Sequence, residues 1–482
     1  MKRSPCMRLS VVCFSVAAMA LACVAGAETA GFPQIAKGMY PAAPDTLAWG
    51  AGQNIVWKTA MPGPGNASPV VIGDRVFVTV EPDGLICVNK ADGAILWQKS
   101  SPIAEALTAE QIEQGRANAS KIAELKQQIQ TLEREARGGQ PGGRKGGRPG
   151  SEGKKGGPAA DPEARKKAQE LNKKIEPLQA ELATLDITGL PPAHNDNGYA
   201  SPTPFTDGQS VWVLFGTGVA ACYDMNGARK WIRLIEKPRE RWGHSASPVV
   251  AGGKVLIHIV NLVALDAQTG QEQWRAPVNY SWGSPQVETI GGVDVVITPK
   301  GDFVRLSDGK VLASGVFEMP WGTPLIHEGV IYALDEKGGV AVRMPPMAAE
   351  GMKPEIMWNC KPRKDRYYGT AAILGDLVYA AGGNGTKTLS VFERATGNLV
   401  YEKPLAFRSQ RIYASVVTAG PYVFITSDGG ETLVLEGGRE YKEVARNSLE
   451  KYRSTPSLEG GRVYVRAQEN LYCLGQTGAA AK

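Results

Sequence analysis

Eight places in the chain carry a residue suited to line a ligand site, each immediately before a small residue, a Ser or Thr and, in most copies, a Pro. They are Asn66, Tyr199, Ser245, Trp282, Trp321, Tyr368, Tyr413 and Arg453. Five of the eight are aromatic, and Trp242, His244, Arg366 and Arg411 lie within three residues of one of them. Aromatic faces stack on flat or sugar-like rings, and guanidinium groups hold negative charge. The candidate ligand-binding residues are therefore Trp242, His244, Trp282, Trp321, Arg366, Tyr368, Arg411, Tyr413 and Arg453. The same aromatics, taken singly, would serve as filler between packed sheets. His244 on its own reads as a structural histidine rather than a base.

Other chemistry is thinly represented. Carboxylates near these positions are few, chiefly Asp196, Glu318, Asp365 and Glu450. The chain has no Cys-x-x-Cys, paired-His spacing, haem motif, Gly-x-Ser-x-Gly elbow, phosphate loop or His-Glu-x-x-His, so no catalytic residue and no metal ligand is assigned. A net charge of +6 over 482 residues is mild and does not point to specific nucleic-acid binding.

A repeat must position these residues. The opener recurs as Ala67-Ser68-Pro69, Ala200-Ser201-Pro202, Ala246-Ser247-Pro248, Gly283-Ser284-Pro285, Gly322-Thr323-Pro324, Gly369-Thr370-Ala371, Ala414-Ser415-Val416 and Ser454-Thr455-Pro456. From the second copy on, the steps are 37 to 47 residues, the period of propeller blades. The unit from Ala246 shows four short apolar runs separated by Gly-rich turns, as strands buried between neighbouring sheets require. The expected fold is all-β, an eight-bladed propeller of four-stranded antiparallel blades. Positions just before the openers would then ring the mouth of the central channel.

Each unit also carries a turn such as Asp266-Ala267-Gln268-Thr269-Gly270 followed by Trp274. The Asp bonds turn amides, the Gly accepts positive φ, and the Trp covers the blade junction while donating its indole N–H. Trp57, Trp97, Trp231, Trp274 and Trp358 are the structural docking residues expected on this reading. Cys87, Cys222 and Cys473 align with Ala264 and read as buried small residues, in blades too far apart for disulfides. The last unit lacks a fourth strand, and the segment around Ile55–Lys58 looks like the missing one, which would close the ring.

These motifs resemble the tryptophan-docking repeats of PQQ-like propellers, the family of quinoprotein dehydrogenases and of the propeller lipoprotein that assists outer-membrane β-barrel assembly. The resemblance covers nearly all of the expected mature chain, after residue 27, outside one insertion. It implies the eight-bladed fold. In the dehydrogenases it further implies PQQ with Ca²⁺, a carboxylate base and, in many members, a disulfide between adjacent cysteines. This chain has no adjacent cysteines, and none of its four candidate carboxylates sits in a matching motif. The leading expectation is a binding or scaffold protein of the cell envelope, with an envelope protein or glycan as partner and no assigned cofactor. A PQQ-dependent oxidoreductase and a carbohydrate-binding propeller are the alternatives.

The remaining segments complete the layout. Residues 1–27 read as a signal peptide, implying a secreted, periplasmic protein, with lipid anchoring at Cys23 a lesser alternative. A lead-in spans 28–53, the closing strand and first blade 54–100, and blades 2–8 residues 191–476, followed by a tail over 477–482. No apolar run is long enough for a transmembrane helix. Between blades 1 and 2, residues 101–190 switch to heptad spacing, with seams at Ile122, Leu125, Ile129 and Leu132 and at Leu171, Ile175, Leu178 and Leu182. They predict an antiparallel coiled-coil hairpin, an arm for a partner or for self-association, with a disordered basic Gly-rich tip over 138–158.

Overall fold

The computed structural model describes residues 30–138, 162–238, 240–409 and 411–476. The expected signal segment, Cys23, the tip beyond Gly138 and the tail from 477 lie outside them. Eight antiparallel sheets succeed one another around a central channel. Blade 3 shows the pattern, with strands Val249–Ala251, Lys254–His258, Leu262–Asp266 and Glu272–Ala276 running from the channel outward. The two middle strands of each blade are almost wholly buried because neighbouring blades cover both of their faces.

Closure joins the two ends of the chain. Ile55–Ala60 is the outermost strand of the last blade and pairs antiparallel with Asn470–Leu474, placing Trp57 opposite Cys473. That leaves the ring without a gap between its first and last blades.

The outer junctions share one contact. The indole N–H groups of Trp57, Trp97, Trp231, Trp274 and Trp358 donate to the carbonyls of Lys90, Met225, Ala267, Leu306 and Arg394, at 2.9 to 3.0 Å. Each acceptor belongs to the turn of the next blade. The glycine of that turn lies flat on the ring: at Gly93, Gly227, Gly270, Gly309 and Gly397 an added Cβ would come within 2.9 Å of the tryptophan. Across its own sheet each of these tryptophans faces a small buried residue: Cys473, Cys87, Cys222, Ala264 or Ala341. Burial pushes the Cys87 and Cys222 thiols up to about 12 and Cys473 to about 11, so all three stay protonated and serve packing.

Inner junctions are held by a second ring. The backbone N–H of Ser68 donates to Thr203 Oγ1, that of Thr203 to Ser247 Oγ, Ser247 to Ser284, and Ser284 to Thr323. Thr370 donates likewise to Ser415, Ser415 to Thr455, and Thr455 back to Ser68, with all seven bonds between 2.8 and 3.1 Å. The opener's hydroxyl therefore stitches seven of the eight blade junctions. The member from blade 2 is Thr203, which corrects the register read from Ala200-Ser201-Pro202. That segment contains two Ser/Thr-Pro pairs in tandem, and the second opens the blade.

The lead-in does more than the repeat pattern suggested. Ala30–Gly31 pairs with Phe205–Thr206 on the inner edge of blade 2, and Met39–Tyr40 runs parallel to the inner strand of blade 7. A short helix, Phe32–Lys37, lies between them inside the channel. Both pairings fall beyond the Ser/Thr ring along the inner strands, so this segment plugs the channel from the far side. Gly38 permits the turn after the helix: its φ is 58°, and a Cβ there would meet the Val416 carbonyl at 2.5 Å.

The insertion is helical. Thr108 and Gln111 form a capping box on a helix that spans Ala109–Ala117, and a second helix, Ala119–Gly138, packs against Pro162–Leu185. Buried Ile122, Leu125, Ile129, Leu171 and Ile175 fill the contact. Lys126 meets Asp186 at 2.6 Å, so the start of one helix lies beside the end of the other and the two are antiparallel. Pro177 stands inside the second helix without ending it.

Candidate functional site

The Ser/Thr ring forms the waist of a cavity of about 380 Å³ at the channel mouth. Above that waist stand the residues two positions before each ring hydroxyl: Asn66, Ser201, Ser245, Trp282, Trp321, Tyr368, Tyr413 and Arg453, all lining the cavity. Ser201 occupies the place that the sequence reading gave to Tyr199. Tyr199 instead donates its hydroxyl to Pro191 O, and its backbone N–H reaches the Glu81 carboxylate. The aromatic positions are thus four, and all four fall on consecutive blades.

Those four form a continuous arc. Trp282 and Trp321 stack with centroids 4.6 Å apart, Tyr368 meets Trp321 edge-on at 5.9 Å, and Tyr413 lies 4.9 Å from Tyr368. Trp282 is fixed by its indole N–H on Gly243 O and by Tyr280 against its edge. The Arg366 guanidinium lies over the Trp321 ring at 5.2 Å, and the Arg453 guanidinium over Tyr413 at 5.5 Å. Trp242 stands at the rim, 46% exposed, with the His194 ring tilted against it at 4.0 Å between centroids. Phe32 of the plug forms part of the lining.

Opposite the arc the wall is polar, and a strap crosses it. The segment between the helical insertion and blade 2 brings Asp196 to the loops of the last blades. Its carboxylate pairs with Arg411 on one oxygen and with Arg453 at 2.7 Å on the other. Arg453 also donates to the Asp196 carbonyl, which Asn66 shares. Arg411 in turn donates to the Tyr413 hydroxyl at 2.8 Å, and this contact and Asp196 favour its charged form. Burial raises the Tyr413 phenol and the nearby Asp428 carboxyl above their usual ranges.

Eight of the nine residues proposed from sequence therefore line one cavity: Trp242, Trp282, Trp321, Arg366, Tyr368, Arg411, Tyr413 and Arg453. His244 does not. It is fully buried, and burial with His258 alongside holds its pKa down to about 3, leaving it neutral. Arg411 and Arg453, candidates for holding a ligand's negative charge, are both paired with the protein's own Asp196. Asp196 was visible as a nearby carboxylate, yet its partners lie more than 200 residues away. Glu318 is held by Lys300 and Lys337, and Asp365 is buried under backbone and Thr386 donors.

A calcium-bound quinone is not well served by this lining. The one acid among the cavity residues, Asp196, is engaged by two guanidinium groups, and no cluster of three His, Cys, Asp or Glu residues able to hold a metal occurs among the described residues. A Ca²⁺ site gathers six to eight oxygen ligands from carboxylates, carbonyls and waters, and the one carboxylate here is already neutralised by Arg411 and Arg453.

Residues 45–136, 192–315 and 259–479 match the family model described as outer membrane protein assembly factor BamB. No curated protein sequence matches significantly. Among solved structures, a quinohemoprotein alcohol dehydrogenase from Pseudomonas putida aligns over 88% of this chain and 76% of its own, at 12% identity and a TM-score of 0.51. The quinohemoprotein alcohol dehydrogenase from Comamonas testosteroni aligns over 89% and 77%, also at 12% identity and 0.51. BamB from Moraxella catarrhalis overlaps 57% of this chain and 82% of its own, at 15% identity and a TM-score of 0.46. At such identities the solved structures speak for the fold alone.

Proposed function

The chain belongs to the outer membrane protein assembly factor BamB family of PQQ-like propellers, and from that premise we propose that it is a binding protein of the cell envelope whose channel mouth captures a ring-bearing ligand. The reading rests on one observation: Trp282, Trp321, Tyr368 and Tyr413 form an unbroken arc along one wall of the cavity. Its volume falls in the range of small-molecule sites, which are apolar with a few placed polar groups. A sugar ring or flat heterocycle would lay its face on the arc while Ser245 and Asn384 meet its polar edge.

Binding rather than turnover is the reading favoured by the polar groups. Asp196 is bridged between two arginines, so both of its carboxylate oxygens are engaged by guanidinium groups and neither is left to take a proton from a substrate. The family's name suggests a protein partner, and a ring at the end of an envelope glycan or polypeptide fits the arc. Calorimetric titration with PQQ, with and without Ca²⁺, and glycan-array binding test the reading. Saturable binding that is lost in Trp321→Ala supports it. Binding that survives Trp321→Ala and Trp282→Ala would place the ligand elsewhere and overturn it.

A further inference from the structure

Asp196 is the one acid in the cavity wall, and it comes from outside the blades. It sits on the strap that leaves the second arm helix, Pro162–Leu185, and enters blade 2. The strap is anchored at both ends. At its start Lys237 donates to the carbonyls of Asp186 and Gly189, and at its end the Tyr199 and Ala200 N–H groups donate to Glu81. Between those anchors, residues 192–198 are held over the mouth by Asp196 on Arg411 and Arg453, by Asn66 on the Asp196 and Asn197 carbonyls, and by Asn197 on Trp242 O.

Two guanidinium groups converging on one carboxylate are the arrangement proteins use to recognise a ligand's carboxylate. Here the carboxylate is the protein's own, and the arginines adjoin the aromatic arc through the Tyr413 hydroxyl and ring. The other titratable groups facing them are Asp428, whose carboxyl burial raises above its usual range, and the His194 imidazole, 3.6 Å from Asp196. Removing Asp196 from the pair would leave two positive groups beside a stacking surface. We propose that the cavity is a site for a ring-bearing carboxylate, with Asp196 as its built-in competitor: the ligand's carboxylate takes the place of Asp196 between Arg411 and Arg453 and frees the strap.

This deepens the ring-binding reading and rests on it. The consequence reaches the helical arm, because the strap is the covalent link between the second arm helix and the mouth. A ligand that displaces Asp196 loosens residues 192–198 while both anchors stay in place.

The test uses 2-naphthoate and its neutral counterpart 2-naphthamide as probes on the full chain. In Asp196→Asn, naphthoate should bind at least tenfold more tightly than in the wild type, while naphthamide affinity stays within twofold. Adding Arg411→Ala to Asp196→Asn should erase the naphthoate gain. Naphthoate, and not naphthamide, should also speed amide exchange across residues 192–198 of the wild type. Asn66→Ala, which loosens the strap without altering charge, gives a second route and should strengthen naphthoate binding about threefold. If Asp196→Asn favours both probes equally, or neither, while both still depend on Trp321, the competitor role is overturned and the ring site stands. If neither probe binds any folded variant, both readings fall.

Discussion

Trp274 donates its indole N–H to Leu306 O, and Gly309, three residues further along the same turn, lies so close to its ring that an added Cβ would sit 2.7 Å from it. The tryptophan of one blade and the glycine of the next are thus one packing unit. Gly309 is required twice, for its φ of 75° and for that contact. Gly309→Ala should cost about 3 kcal/mol through strain and overpacking. Gly292→Ala, where φ is 82° and the space is open, should cost only about 1 kcal/mol. Denaturant melts compare the two, and equal losses would remove the ring contact from the account.

Ring closure makes a sharper demand. The strand Ile55–Ala60 completes the last blade from the other end of the chain. Deleting residues through Lys58 exposes the edge of Asn470–Leu474 and removes the channel plug, and the product should lose its single cooperative transition. A truncated protein that melts like the parent would contradict this.

The hydroxyl ring predicts a local cost. In Ser247→Ala the buried N–H of Thr203 loses its acceptor, which should destabilise by about 1–3 kcal/mol. Ser201→Ala, at the position mistaken for a ring member, should cost less because Ser201 lies at the cavity wall. The reverse order would restore the register that the sequence first suggested.

What the sequence could and could not show follows the range of the interactions. Glycines, tryptophans and Ser/Thr-Pro openers repeat, so blade number, strand order and ring closure were readable, as were seven of the eight residues two positions before the ring hydroxyls. The tandem Ser201-Pro202-Thr203-Pro204 offered two registers, and only packing against Ser68 and Ser247 decides between them. The plug and the Asp196 strap occur once each and contact residues hundreds of positions away, so no period announces them.

Acid should weaken the fold through two buried histidines. Burial holds His244 and His258 down to about 3 and about 4, against 6.5 for a free histidine. Below pH 6.5 the unfolded chain takes up protons that the native state refuses. Stability is therefore complete above that value and falls as the pH drops toward 4, by about 1.4 kcal/mol per unit for each histidine. His244→Phe should shallow the dependence between pH 6 and 4.5 in urea melts, and an unchanged slope would show that His244 takes no part in it.

The central claim is that the aromatic arc binds a ring without a metal, and calorimetric titration with PQQ, a flat carboxylated ring system, tests it most directly. The account predicts saturable binding with the same affinity in the presence and absence of Ca²⁺, abolished by Trp321→Ala. Binding that requires Ca²⁺, or that persists in Trp321→Ala, would contradict it.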